Sequence, residues 1–280
     1  MKYISLLIFV LFSIPARAQT LELNGNEIEL PYIINVASNN IRGTIHIDKF
    51  GAAFEVGTSW TILASAKTYA SPTAATSLEL VSSDNTNDIP AGTGARSVCV
   101  EGLGSGYQLL TWCEALNGTT AVPLDSTFTR VFRMYLQTTG TYASATASSH
   151  NSTITLRVAS AGATWATIGT EANFGFGQSL IGAYTVPRGY TAYINGYDFT
   201  VESAKAPTFA FFKRCEIDDV TVPYSPMRLQ GLQRGIASSF HADHILGPFN
   251  ELCDIGFFGK VAASTASLSV DFEIILIKND

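Results

Sequence analysis

The run that begins at Ser267 constrains the fold of this 280-residue chain more than any other stretch. Apolar residues at 268, 270, 272 and 274 alternate with polar residues, which is the period-2 pattern of a strand with one face on a core. Helical periodicity is not sustained anywhere after residue 18. We therefore predict an all-β protein.

A second stretch, Gln178 to Val201, predicts a β-hairpin. Short runs of β-branched and aromatic residues lie on both sides of Pro187-Arg188-Gly189. Proline presets φ, and glycine two positions later accepts a positive φ, which is what a tight turn needs.

Short strand candidates separated by turn residues continue along the chain, which favours β-sandwiches or jelly rolls. The predicted domains are a leader at 1–18, an N-terminal arm at 19–57, a β-sandwich at 58–168 and a second, jelly-roll-like sandwich at 169–280. Within the arm, Asn24-Gly25-Asn26 between apolar alternations predicts a small hairpin.

Residues Met1 to Ala18 are typical of a secretory signal, with a positive Lys2, an apolar run and Ala16-Arg17-Ala18 before a cleavage site. If the leader is cleaved, the mature chain starts near Gln19 and is periplasmic or extracellular. The alternatives are an uncut buried or lipid-facing segment and a misassigned start codon. The apolar run is too short for a membrane-spanning helix, which needs about 20 residues.

Four cysteines, at positions 99, 113, 215 and 253, lack the paired spacing of a zinc site. Cys99 and Cys113 flank a glycine-rich turn and could face each other across a hairpin. They would form a disulfide in an exported chain and would otherwise be small buried hydrophobic residues.

Charged residues make up 14% of the chain, and the net charge is −6, which argues against nucleic acid as a partner. A surface with so few charges suits a secreted protein or a subunit whose faces are covered by neighbours.

His241-Ala242-Asp243-His244 is the one cluster that resembles metal chemistry, because His241 and Asp243 would share a face of a strand. The alternative is a polar strand end or an intersubunit contact. The acidic clusters at 84–88 and 216–219 could hold calcium or be solvated loop charges. The glycines from 102 to 106 precede a strand rather than a helix, so no dinucleotide and no other cofactor is expected.

Aromatic residues could form a platform on which sugars stack, or could fill the core and interfaces. The candidates are Trp60, Trp112, Trp165, Tyr184, Tyr190, Tyr193 and Tyr197.

Short motifs in a fixed order resemble a group of uncharacterised virion structural proteins of marine tailed phages, over most of the chain after about Asn40. They include Lys49-Phe50-Gly51, Gly57-Thr58-Ser59-Trp60, Val81-Ser82-Ser83, Gly92-Thr93-Gly94-Ala95-Arg96, Val100-Glu101-Gly102-Leu103, Leu116-Asn117-Gly118-Thr119-Thr120, Phe128-Thr129-Arg130-Val131-Phe132-Arg133-Met134, Tyr184-Thr185-Val186-Pro187, Cys253-Asp254-Ile255 and Val270-Asp271-Phe272-Glu273-Ile274. The resemblance implies a capsid-decoration, head-fibre or tail-associated subunit that is not an enzyme and has no catalytic residues.

From these patterns we predict a virion protein that works by subunit contacts. Its expected partners are copies of itself, with a trimer favoured, and other virion proteins such as the major capsid protein. A glycan or a host receptor is the alternative partner. The interface candidates are Arg130, Arg133, Tyr190 and Tyr193, with one arginine as a clamp on the core side and the other at the interface. A secreted glycan-binding or adhesive protein is the alternative, because phage particle proteins need no leader. An enzyme that uses His241, Asp243 and His244 is a third hypothesis.

Overall fold

The computed structural model describes residues 20–23, 26–29, 32–38, 40–142, 150, 152–170, 176–202 and 205–279. Almost all regular structure in these residues is β-strand, so the predicted all-β class is confirmed. The chain forms two compact units, residues 1–46 and 47–280. The domain boundaries expected near residues 58 and 169 stay predictions. No helix among the described residues is long and apolar enough to cross a membrane.

The smaller unit contains strands β1 (Thr20–Leu23) and β2 (Asn26–Glu29) and helix α1 (Tyr32–Ala37). The two strands pair antiparallel with Leu21 opposite Ile28, which confirms the hairpin predicted there. The helix was not predicted, because six residues are too few to show a helical period.

Seventeen further strands follow, of which β3 runs across the division between the units. In chain order they are β3 (Thr44–Val56), β4 (Thr61–Ile62), β5 (Thr76–Ser82), β6 (Ala95–Leu103), β7 (Leu109–Ala115), β8 (Val122–Phe128), β9 (Arg130–Thr139), β10 (Ile154–Val158), β11 (Thr164–Ile168), β12 (Ala183–Thr185), β13 (Tyr190–Val201), β14 (Thr208–Arg214), β15 (Arg228–Arg234), β16 (Ser239–Ala242), β17 (Leu246–Phe249), β18 (Asp254–Lys260) and β19 (Ala266–Lys278).

Two antiparallel sheets share the first core. Sheet I has the strand order β11-β10-β5-β8, and sheet II has the order β7-β6-β9. Leu80 and Leu156 from sheet I and Val98, Val100 and Met134 from sheet II belong to one buried cluster. The two sheets therefore bury their apolar faces in the same cluster, as in a β-sandwich.

Sheet III has the order β12-β18-β14-β15 with β4 beside β18, and sheet IV has the order β16-β13-β19-β3 with β17 beside β13. Aromatic rings join them: Phe199 of β13 stacks on Phe209 of β14 at 4.2 Å between ring centroids. Phe257 of β18 meets Phe272 of β19 at 5.0 Å. The alternation predicted for the last strand is confirmed, because its apolar positions 268, 270, 272 and 274 are all buried.

The turn predicted at Pro187-Arg188-Gly189 is present, with Tyr190 N donating to Pro187 O at 3.2 Å and Gly189 at a φ of 82°. The hairpin predicted around it is wrong. The strand before the turn, β12, pairs with β18 in sheet III, whereas β13 after it pairs with β19 in sheet IV. The turn is therefore a corner that takes the chain from one sheet to the other.

All four cysteines are in disulfides, Cys99–Cys113 and Cys215–Cys253. Cys99 and Cys113 stand directly opposite each other in the β6–β7 pair, as the hairpin prediction required. From the sequence, Cys99 and Cys113 could be either a disulfide or two buried thiols, and the Cys215–Cys253 disulfide was not predicted. Disulfides persist in oxidising surroundings such as the periplasm, the extracellular space and virion surfaces.

Removing either bridge is expected to destabilise the fold. The bonded cysteines are 38 and 14 positions apart, so the loss of loop-closure entropy corresponds to about 4 kcal/mol for Cys215–Cys253 and about 3 kcal/mol for Cys99–Cys113. Urea unfolding of the two double Cys→Ala variants measures both values. Variants as stable as the oxidised protein would contradict the expectation.

Candidate functional site: an exposed apolar segment beside an edge strand

The most unusual surface lies between β14 and β15, in a stretch that we call the apolar segment, residues 219–229. It carries five large apolar side chains that are exposed to solvent: Val220, Val222, Tyr224, Met227 and Leu229. Val222 is 79% exposed and Tyr224 is 61% exposed. Exposed apolar side chains are normal when scattered, but a run of five marks a contact surface.

The chain just before the apolar segment is firmly held. Cys215 is bonded to Cys253, and Ile217 is buried, with its N–H donating to Leu252 O at 3.3 Å. Asp218 accepts a hydrogen bond from Arg188 Nη2 at 3.1 Å. An anchored segment loses less conformational entropy on binding than a free loop does, which favours its use as an interface.

The apolar segment runs into β15, whose first two residues it includes, and β15 lies at the edge of sheet III. Within the part of the chain that the structure describes, β15 pairs only with β14, so its outer backbone groups are open to a partner. Arg228 and Arg234 stand at its two ends and are both exposed. Unpaired edges are natural places for another chain to add, and charged ends limit the partners that fit.

A row of acidic side chains crosses the outer face of sheet IV. Asp198 on β13 lies directly opposite Asp271 on β19, and it is also opposite His241 on β16. Burial and then the Asp198 carboxylate raise the pKa of Asp271 above its ordinary value. Like charges placed opposite each other destabilise a sheet. A cationic partner bound at this row would reduce that repulsion and stabilise the sheet.

The metal candidates His241 and Asp243 do come together, and the structure adds Asp198 to them. His241 Nδ1 lies 2.5 Å from Asp198 Oδ1, and His241 Nε2 lies 2.7 Å from Asp243 Oδ1. Hydrogen bonds to Asp198 and then to Asp243 raise the pKa of His241. Both ring nitrogens are therefore engaged by carboxylates, while the His244 ring packs edge-on against Tyr197 at 5.5 Å.

The two arginines of β9 have opposite surroundings. Arg130 is completely buried, and its Nε and Nη2 donate to the two carboxylate oxygens of Asp254 at 2.8 and 2.9 Å. Arg133 is exposed, with Nε 3.1 Å from Gln178 Oε1 and its guanidinium over the Tyr135 ring at 4.9 Å. Arg130 thus has no surface for a partner, and an interface role stays a prediction for Arg133 alone.

The aromatic candidates do not form one platform. Trp165, Tyr184 and Tyr197 are core residues. Tyr190 and Tyr193 are half-buried on β13, opposite Lys278 and Ile275, and their interface role stays a prediction. Trp60 is the exposed tryptophan among the candidates, at 45%.

One acidic cluster differs from the solvated loop that the sequence suggested. Asp84 is an outward loop residue that accepts from the N–H groups of Thr86 and Asn87 at 2.7 and 2.9 Å. Asp88, in contrast, is buried, and it accepts from Ser82 Oγ, Ser152 Oγ and the N–H of Ala95. Ser152 lies 64 positions away from Asp88, so spacing along the chain gave no signal for this contact.

No family model and no curated protein matches the chain. Among solved structures, it is similar to an isomalto-dextranase of Arthrobacter globiformis T6 complexed with panose, with 14% identity and a TM-score of 0.21. The match covers 83% of this chain and 35% of the enzyme, so the chain spans about a third of that protein's length.

Structures of infectious bursal disease virus are also similar. The Gx strain shows 10% identity over 84% of this chain and 75% of that chain, with a TM-score of 0.20. The T13 viral particle shows 12% identity over 89% and 75%, with a TM-score of 0.21. Likenesses at these TM-scores establish neither fold nor function, and the resemblance to phage virion proteins stays a prediction. Fold and surface together define the class as an all-β protein with β-sandwich packing, two disulfides and an exposed apolar segment.

Proposed function

We propose that the protein is a non-enzymatic structural protein of a virion, and that it works by associating with copies of itself and with other particle proteins. The apolar segment carries this proposal, because its exposed side chains lie beside an open strand edge. A second copy is the occupant that fits best. Arg228 and Arg234 flank that edge, whereas the outer face of sheet IV presents Asp198, Asp243 and Asp271.

A contact between the basic edge of one copy and the acidic face of the next is heterologous, and contacts of this kind form a ring when the rotation between copies closes and an open filament when it does not. We propose a trimer as the closed form. The disulfides fit a protein on a virion surface, where oxidising conditions hold. The major capsid protein of the particle is the proposed further partner.

The assembly proposal predicts a loss of association when the apolar segment is made polar. The double variant Val222→Ser, Tyr224→Ser removes two exposed apolar side chains, so we expect the dissociation constant to rise about 100-fold. Light scattering on the oxidised full chain, from about 1 to about 100 μM, measures the molar mass against concentration.

The matched control replaces an exposed aliphatic and an exposed aromatic residue in or next to sheet II, away from both proposed contact surfaces: Leu109→Ser in β7 and Tyr142→Ser shortly after β9. This control is expected to keep the association of the natural chain. A chain that stays monomeric over the whole range, or a control that dissociates as strongly as the test variant, would overturn the proposal.

A secreted adhesive protein is the second candidate function. It is favoured by the signal-like residues 1–18, which lie outside the described residues, and by disulfide bonding of all four cysteines. Mass spectrometry of purified particles separates the two candidates, since a virion protein must be present in them. The intact mass also shows whether the chain starts near Gln19.

A further inference from the structure

A cavity of about 370 Å³ opens beside Trp60, where β4 pairs with β18. Its walls combine aromatic and aliphatic surface from Trp60, Phe212 and Ile62 with polar groups from Lys67, Thr68 and Ser71. Ligand sites are commonly concave and mostly apolar, with a few fixed polar groups that give specificity. The cavity is concave and combines apolar walls with fixed polar groups, and Met227 is the one lining residue that it shares with the apolar segment.

The Trp60 ring is held in position at the rim of this cavity. Trp60 directly precedes β4, whose Ile62 and Thr61 pair with Phe258 and Gly259 of β18. Lys260, at the end of β18, places its ammonium nitrogen 4.7 Å from the centroid of the Trp60 ring. Because 45% of Trp60 is still exposed, its indole offers a fixed apolar surface to a ligand.

Two further lining residues, Tyr69 and Asp254, belong to one polar network. Tyr69 OH lies 2.7 Å from Thr185 Oγ1, which donates to Asp254 Oδ1 at 2.5 Å. The negative charge of the buried Asp254 carboxylate is offset in this network by the buried Arg130 guanidinium. Among the residues that the structure describes, Lys67 and Lys260 are the cations near the cavity that form no ion pair with a carboxylate.

The backbone conformation of Lys67 is unusual. It has a φ of 51°, in the left-handed region that non-glycine residues rarely adopt, and its N–H closes a turn with Ala64 O at 2.8 Å. Within the described ranges, its ammonium group makes one hydrogen bond, a long one of 3.4 Å to the carbonyl oxygen of Glu55. Strained residues of this kind concentrate at ligand sites.

We propose that the cavity beside Trp60 binds a saccharide unit that carries an anionic group, a carboxylate or a sulfate. The apolar face of a pyranose ring would lie on the indole. The hydroxyl groups of Thr68 and Ser71 would bond to ring hydroxyls, and Lys67 would bind the anionic group. A neutral sugar would leave the Lys67 ammonium group without an anionic partner, so it is expected to bind more weakly.

Titration calorimetry on the oxidised full chain tests the proposal with three probes: a galacturonic acid trisaccharide, a sulfated galactose trisaccharide and the neutral galactose trisaccharide. One acidic probe is expected to bind at least about tenfold more tightly than the neutral one, as a charge-assisted hydrogen bond requires. Which acidic probe binds more tightly identifies the anionic group. Equal binding of all three probes, or no binding up to about 10 mM, would overturn the proposal.

Two variants test the roles of the residues. Trp60→Ala is expected to weaken every probe about tenfold, because the stacking surface is lost. Lys67→Gln, at an exposed position that does not threaten the fold, is expected to abolish the preference for acidic probes and to leave neutral binding unchanged. The controls Trp112→Phe and Lys278→Gln should bind like the natural chain; if instead Trp60→Ala and Lys67→Gln did so, the site would be elsewhere.

Met227 belongs to both the cavity and the apolar segment, so the titrations are repeated with the Val222→Ser, Tyr224→Ser variant. Saccharide binding by this variant supports the site even if the chain never associates. Association without saccharide binding contradicts the site and leaves the assembly proposal intact.

Discussion

Replacing Arg130 with methionine is expected to lower the free energy of unfolding by about 3–5 kcal/mol, because it leaves the Asp254 carboxylate buried without its cation. The two side chains are 1% and 3% exposed, so water cannot take over the role of the guanidinium. Thr185 would remain as the hydroxyl donor to Asp254, which is too little to stabilise a buried charge. Urea unfolding of the oxidised protein measures the change, which is large against the total stability of about 5–15 kcal/mol for a folded domain.

The surface pair Arg188–Asp218 supplies the matched control. Its side chains are 50% and 38% exposed, so Arg188→Met is expected to cost less than about 1 kcal/mol. If Arg130→Met does not fold, the double variant Arg130→Met, Asp254→Leu is expected to restore folding, because it removes both buried charges. A loss below about 1 kcal/mol for Arg130→Met would show that the pair contributes no more than a surface pair.

The free energy of unfolding is expected to rise by about 3 kcal/mol from about pH 7 to about pH 9.5 through one lysine. Lys49 is buried on β3, and its ammonium nitrogen lies 2.6 Å from Phe132 O. Burial, and secondarily the nearby Arg133, lower the pKa of Lys49 from 10.5 to about 7, although Glu101 acts in the opposite direction. Above pH 7 the unfolded chain therefore binds a proton that the folded chain does not, and stability rises with pH by about 1.4 kcal/mol per unit.

Urea unfolding at several pH values, with natural and Lys49→Met chains compared, isolates this effect. The variant is expected to lose the rise, whereas Lys278→Met, which changes an exposed lysine, is expected to keep it. Burial raises the pKa of Tyr69 and Tyr184, which opposes the rise only above about pH 10, so the series stops before that pH. If the free energy of unfolding rose equally steeply with pH in the natural chain and in Lys49→Met, the lowered pKa of Lys49 would be contradicted.

Local patterns predicted the features that depend on local chemistry. The alternation in β19 and the hairpin that brings Cys99 to Cys113 follow from residue spacing of 2 and from a glycine-rich turn. The turn at Pro187 was also predicted, but turn chemistry does not determine which sheet the flanking strands join. The hairpin prediction failed there because partners from 50 or more positions away, β18 and β19, pair with the two strands instead.

Less of the candidate site than of the fold could be predicted from the sequence. Val222 and Tyr224 belong to a residue type that is usually buried, so their exposure could not be inferred without the packing of sheet III. The partner of Arg130 lies 124 positions away, and no pattern in a single sequence connects the two. Residues that meet across sheets thus escaped prediction, whereas residues that meet along a strand or turn did not.

The position of β19 has a consequence for biosynthesis. This strand lies between β13 and β3, although the ribosome reaches Lys278 only after the partners on both sides have been made. Until then, sheet IV lacks an interior member and its aromatic core lacks Phe272. Non-local pairing of this kind folds slowly, so the nascent chain should stay open long enough for translocation or for chaperone capture.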